Sequence, residues 1–196
     1  SIRSQINQLS EQWIAEKGFP ELGFTLGGVD ELRGPSVKLA LAVDENGILQ
    51  CVLSFMPAYK DNQIVGWTLD FMRRRPEAMN GVVDFLIAEF INQLRSSDVS
   101  YLSLSGVPLT IEMPSDDAHK RLVSILSFLG SILDSAYGFR SLAAFKRKYQ
   151  PEYSCLYMSY NDPLVLSKIG TVLAKAYLPG LSMKHITKLI LHRRKK

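Results

Sequence analysis

Gly66–Leu94 reads GWTLDFMRRRPEAMNGVVDFLIAEFINQL. Trp67, Leu69 and Phe71 alternate with Thr68, Asp70 and Met72, the period-two pattern of a strand with one strongly apolar face. Pro76 and the Asn80-Gly81 pair end that pattern. From Val82 the apolar residues recur at helical spacing through Phe85, Leu86, Phe90 and Leu94. A strand, a turn bearing Arg73, Arg74 and Arg75, and a helix start together make a place where an anion can be held, because free N–H groups and the helix dipole point there. The same spacing also fits an ordinary strand–helix connection with solvated arginines.

Upstream, residues 4–17 predict a helix with Ile6, Leu9, Trp13 and Ile14 on one face and Ser4 as its cap. Gly18-Phe19-Pro20 stops it. Phe24–Gly28 is a short apolar piece that ends in a Gly-Gly turn. Val37–Val43 and Ile48–Met56 read as paired strands, because Asp44-Glu45-Asn46-Gly47 between them carries an Asn-Gly hairpin signal. Downstream, Tyr101–Leu104 reads as a strand and 111–117 as a loop. Helices are expected over 119–129, 132–137 and, as a short basic one, Ser141–Tyr149. A closing strand is expected at Cys155–Ser159. From Leu164 the pattern turns helical, breaks at Pro179-Gly180 and ends in a helix near Met183–His192. Strands first, then strand–helix–strand–helix–strand, describe an α/β layout with a mixed sheet. The expected organisation is one domain over 1–162 and a helical extension over 163–196.

Composition narrows the class. A chain of 196 residues with 21% charged residues is long enough for a substantial core and unlike a disordered segment. The net charge of +4 is unevenly spread. Residues 1–162 hold 15 Lys/Arg against 19 Asp/Glu, whereas 163–196 hold eight Lys/Arg and no acid. A basic tail on a mildly acidic body suits contact with nucleic acid or an anionic membrane, or simply a solubilising end. Cys51 and Cys155 lie far apart without metal-ligand spacing, as expected of buried thiols in a reducing compartment. No apolar run is long enough to span a bilayer, and the N-terminus lacks a signal-peptide core. A first residue other than Met fits a piece of a longer protein.

Several residues suggest chemistry. Asp70 and Arg73 are three apart at a strand end and share a face only if a bulge or turn begins at Met72. A carboxylate among apolar residues needs a partner, and the arginine cluster is the nearest candidate. The pair then reads either as a folding ion pair or as a carboxylate that orients an arginine toward a phosphate or a developing oxyanion. The turn has only Gly81 where a coenzyme A-binding acyltransferase of the GNAT type shows an Arg-x-x-Gly-x-Gly loop, which argues against coenzyme A. Tyr137–Tyr160, YGFRSLAAFKRKYQPEYSCLYMSY, interleaves Arg140, Lys146, Arg147 and Lys148 with aromatics, a mixture suited to phosphate contact and base stacking. It equally suits a basic surface helix with its aromatics in the core. The last helix sets Lys184, Lys188 and His192 opposite Ile186, Leu189 and Ile190, an arrangement for anionic lipid or a tRNA backbone. His119, His185 and His192 have no metal-ligand spacing, no GxSxG elbow is present, and neither a metal nor a cofactor is expected.

The blocks LDFMRRRPEAMNGVVDFLI, YLSLSGVPL and YGFRSLAAFKRKYQPEYSCLYMSY resemble the C-terminal catalytic region of the bacterial phosphatidylglycerol lysyltransferases. These are the lysyl- and alanyl-phosphatidylglycerol synthases, or multiple peptide resistance factors. Their pattern runs D-x-M-R-R at a strand end, N/D-G-x-x-D-F-L-I, L-G-x-A-P-L, and Y-G-F-x-x-L-x-x-F-K-x-K-F-x-P. The likeness covers about residues 5–162, with all four blocks in order. It implies a GNAT-like acyltransferase fold, a mixed, centrally antiparallel sheet flanked by helices, as the second of a tandem pair, followed here by a basic helical extension. It implies transfer of an aminoacyl group, lysyl or alanyl, from aminoacyl-tRNA to a hydroxyl of phosphatidylglycerol at the cytoplasmic face of the cell membrane. The product gives resistance to cationic peptides, and the membrane-spanning and first GNAT-like parts would lie outside this chain. Asp70 and Arg73 match the acid and arginine of D-x-M-R, and Lys146 matches the lysine after Phe in the last block; the resemblance makes these three the catalytic candidates. Arg140, Arg147 and Lys148 become candidates for the tRNA acceptor end. Ser105 replaces the glycine of L-G-x-A-P-L, Tyr149 replaces a Phe, and Tyr153 stands near the usual Trp. The alternatives are a peptidoglycan-type aminoacyltransferase that also uses tRNA, a coenzyme A-dependent N-acyltransferase, and a non-catalytic module that binds tRNA or lipid.

Overall fold

Two tight turns set the antiparallel part of the sheet. At the first, Asp44 Oδ1 accepts the N–H groups of Asn46 (2.9 Å) and Ile48 (2.8 Å), and Gly47 takes φ 75°. That left-handed value carries no Cβ penalty in glycine. This turn joins β1 (Lys38–Val43) to β2 (Leu49–Lys60). At the second, Asp61 and Asn62 both have positive φ, 51° and 61°, as the two central residues of a type I′ hairpin require. It joins β2 to β3 (Gln63–Arg74). These elements belong to a computed structural model of the chain, which describes residues 1–17, 27–107, 139–154 and 159–162, with 165, 168, 169 and 172.

The second hairpin makes β2 and β3 longer than the sequence predicts. Asp61-Asn62 lacks the glycine that usually marks such a turn, yet Asp and Asn tolerate left-handed φ better than other non-glycine residues. Pro57 also masks the strand. It lies opposite Trp67 in β3. Two residues before Trp67, Val65 turns its carbonyl toward the other side of β3, where it accepts Ser100 N–H at 2.8 Å. Trp67 faces the same way by alternation, so the missing proline N–H removes no ladder bond.

The sheet order is β1-β2-β3-β4, antiparallel except for β4 (Tyr101–Ser103), which runs parallel to β3. Helix α2 (Val82–Leu94) makes the crossover between β3 and β4, and helix α1 (Ile2–Lys17) precedes the sheet. Among the described residues the fold is a mixed α/β one, a four-stranded sheet flanked by helices.

A bulge in β3 decides which residues face which helix. Phe55 pairs with Leu69 but Leu53 pairs with Met72, so β3 spends three steps where β2 spends two. The extra residue falls at Asp70-Phe71, opposite Ser54, whose Oγ accepts Phe71 N–H at 3.1 Å. Before the bulge, Trp67 and Phe55, its diagonal neighbour opposite Leu69, meet Phe90 of α2, with ring centroids 6.2 Å apart edge-on and 3.6 Å apart stacked. After it, Phe71 joins Val52, Leu49, Ile6 and Leu9 in the cluster under α1. The strict alternation predicted for Trp67, Leu69 and Phe71 is therefore corrected: the bulge sends Phe71 to the opposite face. Ser54 is fully buried, so Ser54→Ala strands the Phe71 N–H. A loss of about 1 to 2 kcal/mol in a denaturant melt is expected.

The chain divides into two compact units, Ser1–Ser105 and Gly106–Lys196. The first holds α1, the sheet and α2. The second holds helix α3 (Phe139–Arg147). This helix starts and stops two residues before the predicted Ser141–Tyr149. Its end tightens, with Tyr149 N–H on Lys146 O (3.1 Å) and Gln150 N–H on Arg147 O (3.0 Å), and Gln150 takes φ 48°. The helices expected over 119–129, 132–137 and 183–192, and the strand at 155–159 but for its last residue, lie outside the described residues. Among the described residues no helix is long and apolar enough to cross a membrane.

Candidate functional site

The bulge places Asp70 and Arg73 on the side of the sheet where α1 packs; it falls at Asp70-Phe71, before Met72, where the sequence sets the condition for a shared face. Asp70 Oδ1 accepts Gly27 N–H at 3.1 Å. Its Oδ2 is buried and has no hydrogen-bond partner among the described residues. Gly27 has to be glycine for steric reasons, since a Cβ there would run into Asp70 Oδ2 and lie 2.8 Å from its Cγ. After Gly27 the chain carries Val29 and Leu32 onto the same cluster as Phe71.

Arg73 sits on aromatic faces. Its Cζ lies 3.8 Å from the Trp13 ring centre and 4.5 Å from that of Phe71, and Nη1 donates to Met72 O at 2.9 Å. Among the described contacts no ion pair joins Asp70 to Arg73. The carboxylate instead holds the backbone of the segment after α1, and the guanidinium stacks on α1 itself. Trp13 was legible only as a core residue of α1. Gly27 was legible only as part of a turn.

The other two arginines do different work. Arg75 donates its Nε to Leu49 O at 2.7 Å and its N–H to Gln50 O at 2.9 Å, and Nη1 lies 3.7 Å from Glu77 Oε1. It staples the turn after β3 to the start of β2. Arg74 is exposed and donates Nη1 to the carbonyls of Arg75 (3.3 Å) and Pro76 (3.4 Å). It stands opposite Cys51 in the ladder. Burial pushes the Cys51 thiol up to about 12 against the lowering effect of the Arg74 charge, so this buried thiol stays protonated, as expected of a structural cysteine. Cys155 lies outside the described residues.

In the second unit, Lys146 is 5% exposed and donates Nζ to Gly106 O at 2.7 Å. Burial lowers its pKa from 10.5 to about 8, because desolvation penalises the ammonium form. At neutral pH such a lysine holds an appreciable neutral fraction, which suits it to proton transfer. Arg147 and Lys148 are exposed on α3 and just beyond it, and Arg140 is exposed on its first turn. Lys148 Nζ lies 4.7 Å over the Phe145 ring, and Phe145 meets Tyr149 edge-on at 5.6 Å. Thus Phe145 is engaged with residues one turn along its own segment. Lys184 and Lys188 lie outside the described residues, as do the three histidines. Ser105, where the resemblance expects glycine, has φ 66° and donates its N–H to Ser103 Oγ at 3.1 Å. The left-handed backbone that glycine adopts freely is here held by a serine with local support.

Asp70 and Arg73 belong to the first unit and Lys146 to the second. The first unit thus offers a guanidinium on an aromatic platform beside a backbone-tied carboxylate, and the second a buried lysine of lowered pKa. The fold is that of L-PGS from Bacillus licheniformis, with a TM-score of 0.64 and 21% identity over 90% of this chain and 51% of that one. The family described as phosphatidylglycerol lysyltransferase, C-terminal, matches residues 1–160, and the chain belongs to that family. An uncharacterised protein of Corynebacterium glutamicum is 44% identical over 178 residues, 90% of this chain and 22% of its own. A phosphatidylglycerol lysyltransferase of Bacillus subtilis is 27% identical over 168 residues, 83% of this chain and 18% of its own. The chain thus spans about a fifth of the length of these curated relatives.

Proposed function

We propose that this chain contributes the transfer chemistry of a tRNA-dependent aminoacyltransferase that moves a lysyl or alanyl group from aminoacyl-tRNA to a hydroxyl of phosphatidylglycerol. The domain concerned is GNAT-like and spans 1–162; the extension over 163–196, with Lys184 and Lys188, meets the anionic membrane surface or the tRNA backbone. The single observation that carries the reading is Lys146, a family-matched lysine buried at 5% exposure with its pKa lowered to about 8. The membership of the family supports the substrate class.

The proposed reaction is an ester exchange. The lipid hydroxyl oxygen attacks the carbonyl carbon that links amino acid and tRNA. Its proton passes to the neutral Lys146 amine, and a tetrahedral oxyanion forms. The intermediate collapses by breaking the carbon–oxygen bond to the tRNA ribose, and Lys146 returns the proton to that leaving oxygen. Arg73 holds a substrate phosphate, Asp70 fixes the backbone beside it, and Arg140, Arg147 and Lys148 receive the tRNA acceptor end. Nothing in this scheme requires a cofactor.

The test uses the whole protein with radiolabelled Lys-tRNA or Ala-tRNA and phosphatidylglycerol vesicles, read by thin-layer chromatography of the lipid. Labelled lipid is the expected product. Arg73→Ala is expected to lower kcat/KM by about tenfold to a hundredfold, the scale of a charge-assisted hydrogen bond to an anion. Near-normal turnover in that variant would sink the role given to Arg73. Label that goes to a peptidoglycan precursor and not to lipid would favour the peptidoglycan-type alternative.

A further inference from the structure

The support beneath Arg73 is itself unusual. Helix α1 is pinned to the sheet by Gln5, whose Oε1 accepts Leu49 N–H at 2.7 Å and whose Nε2 donates to Gly47 O at 2.9 Å. Ile6, the next residue, and Leu9, one turn further on, bury on the Phe71 cluster. Trp13 follows at helical spacing and meets the Arg73 guanidinium at 3.8 Å, with Phe71 at 4.5 Å and Met72 O at 2.9 Å from Nη1. A cation on a ring face engages the face of the guanidinium, whereas hydrogen bonds are made at its N–H edge, as Nη1 does with Met72 O. A flexible arginine would lose side-chain entropy on gripping a phosphate; one already stacked loses less.

We propose that Trp13 is a positioning residue, which fixes the Arg73 guanidinium so that its N–H edge meets a substrate phosphate. The inference rests on the reading of Arg73 as a phosphate-binding group. The phosphate has two sources, the lipid headgroup and the end of the tRNA, and the experiment separates them.

In the whole protein, KM is measured for aminoacyl-tRNA and, separately, for phosphatidylglycerol in phosphatidylcholine vesicles, with Trp13→Leu, Trp13→Phe, Arg73→Ala and the Trp13→Leu/Arg73→Ala double variant. Trp13→Leu is expected to raise one of the two KM values about fivefold with kcat within about twofold, the range of a partly desolvated cation–π contact. The KM that moves names the phosphate source. Trp13→Phe keeps a ring and is expected to restore KM to within about twofold. The double variant is expected to be no worse than Arg73→Ala alone, because Trp13 acts through that arginine. Should Trp13→Leu not fold, Trp13→Met, which also lacks a ring, takes its place in the same cycle, with the same rise of about fivefold expected. Loss of transfer in Arg73→Ala with both KM values unmoved in the Trp13 variants, or strictly additive losses, overturns the inference and leaves the proposed function standing. Full transfer in Arg73→Ala overturns both.

Discussion

Lys146→Met is expected to lower aminoacyl transfer by about a hundredfold to ten-thousandfold, the range for loss of a positioned acid–base group. The same variant is expected to melt at or above the wild type at pH 7. The two expectations belong together. Burial lowers the Lys146 pKa from 10.5 to about 8, so the folded protein gives up this proton at a lower pH than the unfolded chain does. Between about pH 8 and 10.5 the unfolded state binds more protons, and stability attributable to Lys146 rises with pH across that window. Below about 8 both states are protonated and the full cost of burying the ammonium is present. Methionine removes that cost, so lost activity in a well-folded Lys146→Met protein cannot be blamed on unfolding. Activity carries its own pH signature. A proton acceptor works as the neutral amine, so wild-type kcat/KM is expected to rise with pH to a midpoint near 8. Lys146→Arg keeps the charge but not the titration, and its profile is expected to be low and flat through that range. A wild-type rate that falls through the same midpoint would mean that the ammonium form is the active one.

Much of the frame was legible because local chemistry and tertiary packing agree there. Asn46-Gly47 announced the first hairpin, the apolar period from Val82 announced α2, and Val37–Val43 needed only a one-residue correction. The second hairpin was not legible, because Asp61-Asn62 reaches left-handed φ without a glycine. The β3 bulge was legible only as a condition, and at Met72, whereas it falls at Asp70-Phe71. No residue type marks it, and its cause sits on the neighbouring strand, where Ser54 captures the extra N–H. That one non-local bond decides that Asp70, Phe71 and Arg73 turn toward α1. Of the site candidates, Lys146 was visible through its place in a motif, but its burial against Gly106 O depends on residues 40 apart in sequence. Trp13 was hidden for the opposite reason: an apolar helical stripe predicts core, and the cation it supports lies on another element.

Gly27→Ala is expected to cost about 3 kcal/mol, combining an overpacked buried contact with a lost hydrogen bond to a carboxylate. For a chain of this size that is a fall of about 6 to 12 °C in melting temperature. The steric reason is specific. A methyl at Gly27 occupies the space of Asp70 Oδ2, which is already buried and without a hydrogen-bond partner among the described residues. Aspartate has a short side chain, so its carboxyl cannot swing aside as the end of a lysine would. Either Asp70 leaves its rotamer and loses Gly27 N–H, or the segment carrying Val29 and Leu32 lifts from the Phe71 cluster. Both routes disturb the strand end that bears Arg73, so transfer is expected to fall together with stability. A double-mutant cycle separates this account from a general intolerance of alanine at position 27. In an Asp70→Ala background the obstructing carboxylate is gone, and adding Gly27→Ala is expected to cost less than about 1 kcal/mol more. An undiminished penalty for Gly27→Ala in that background would place the clash elsewhere in the backbone. A penalty that vanishes there would show that the glycine is required because the carboxylate of Asp70 fills the place of its side chain.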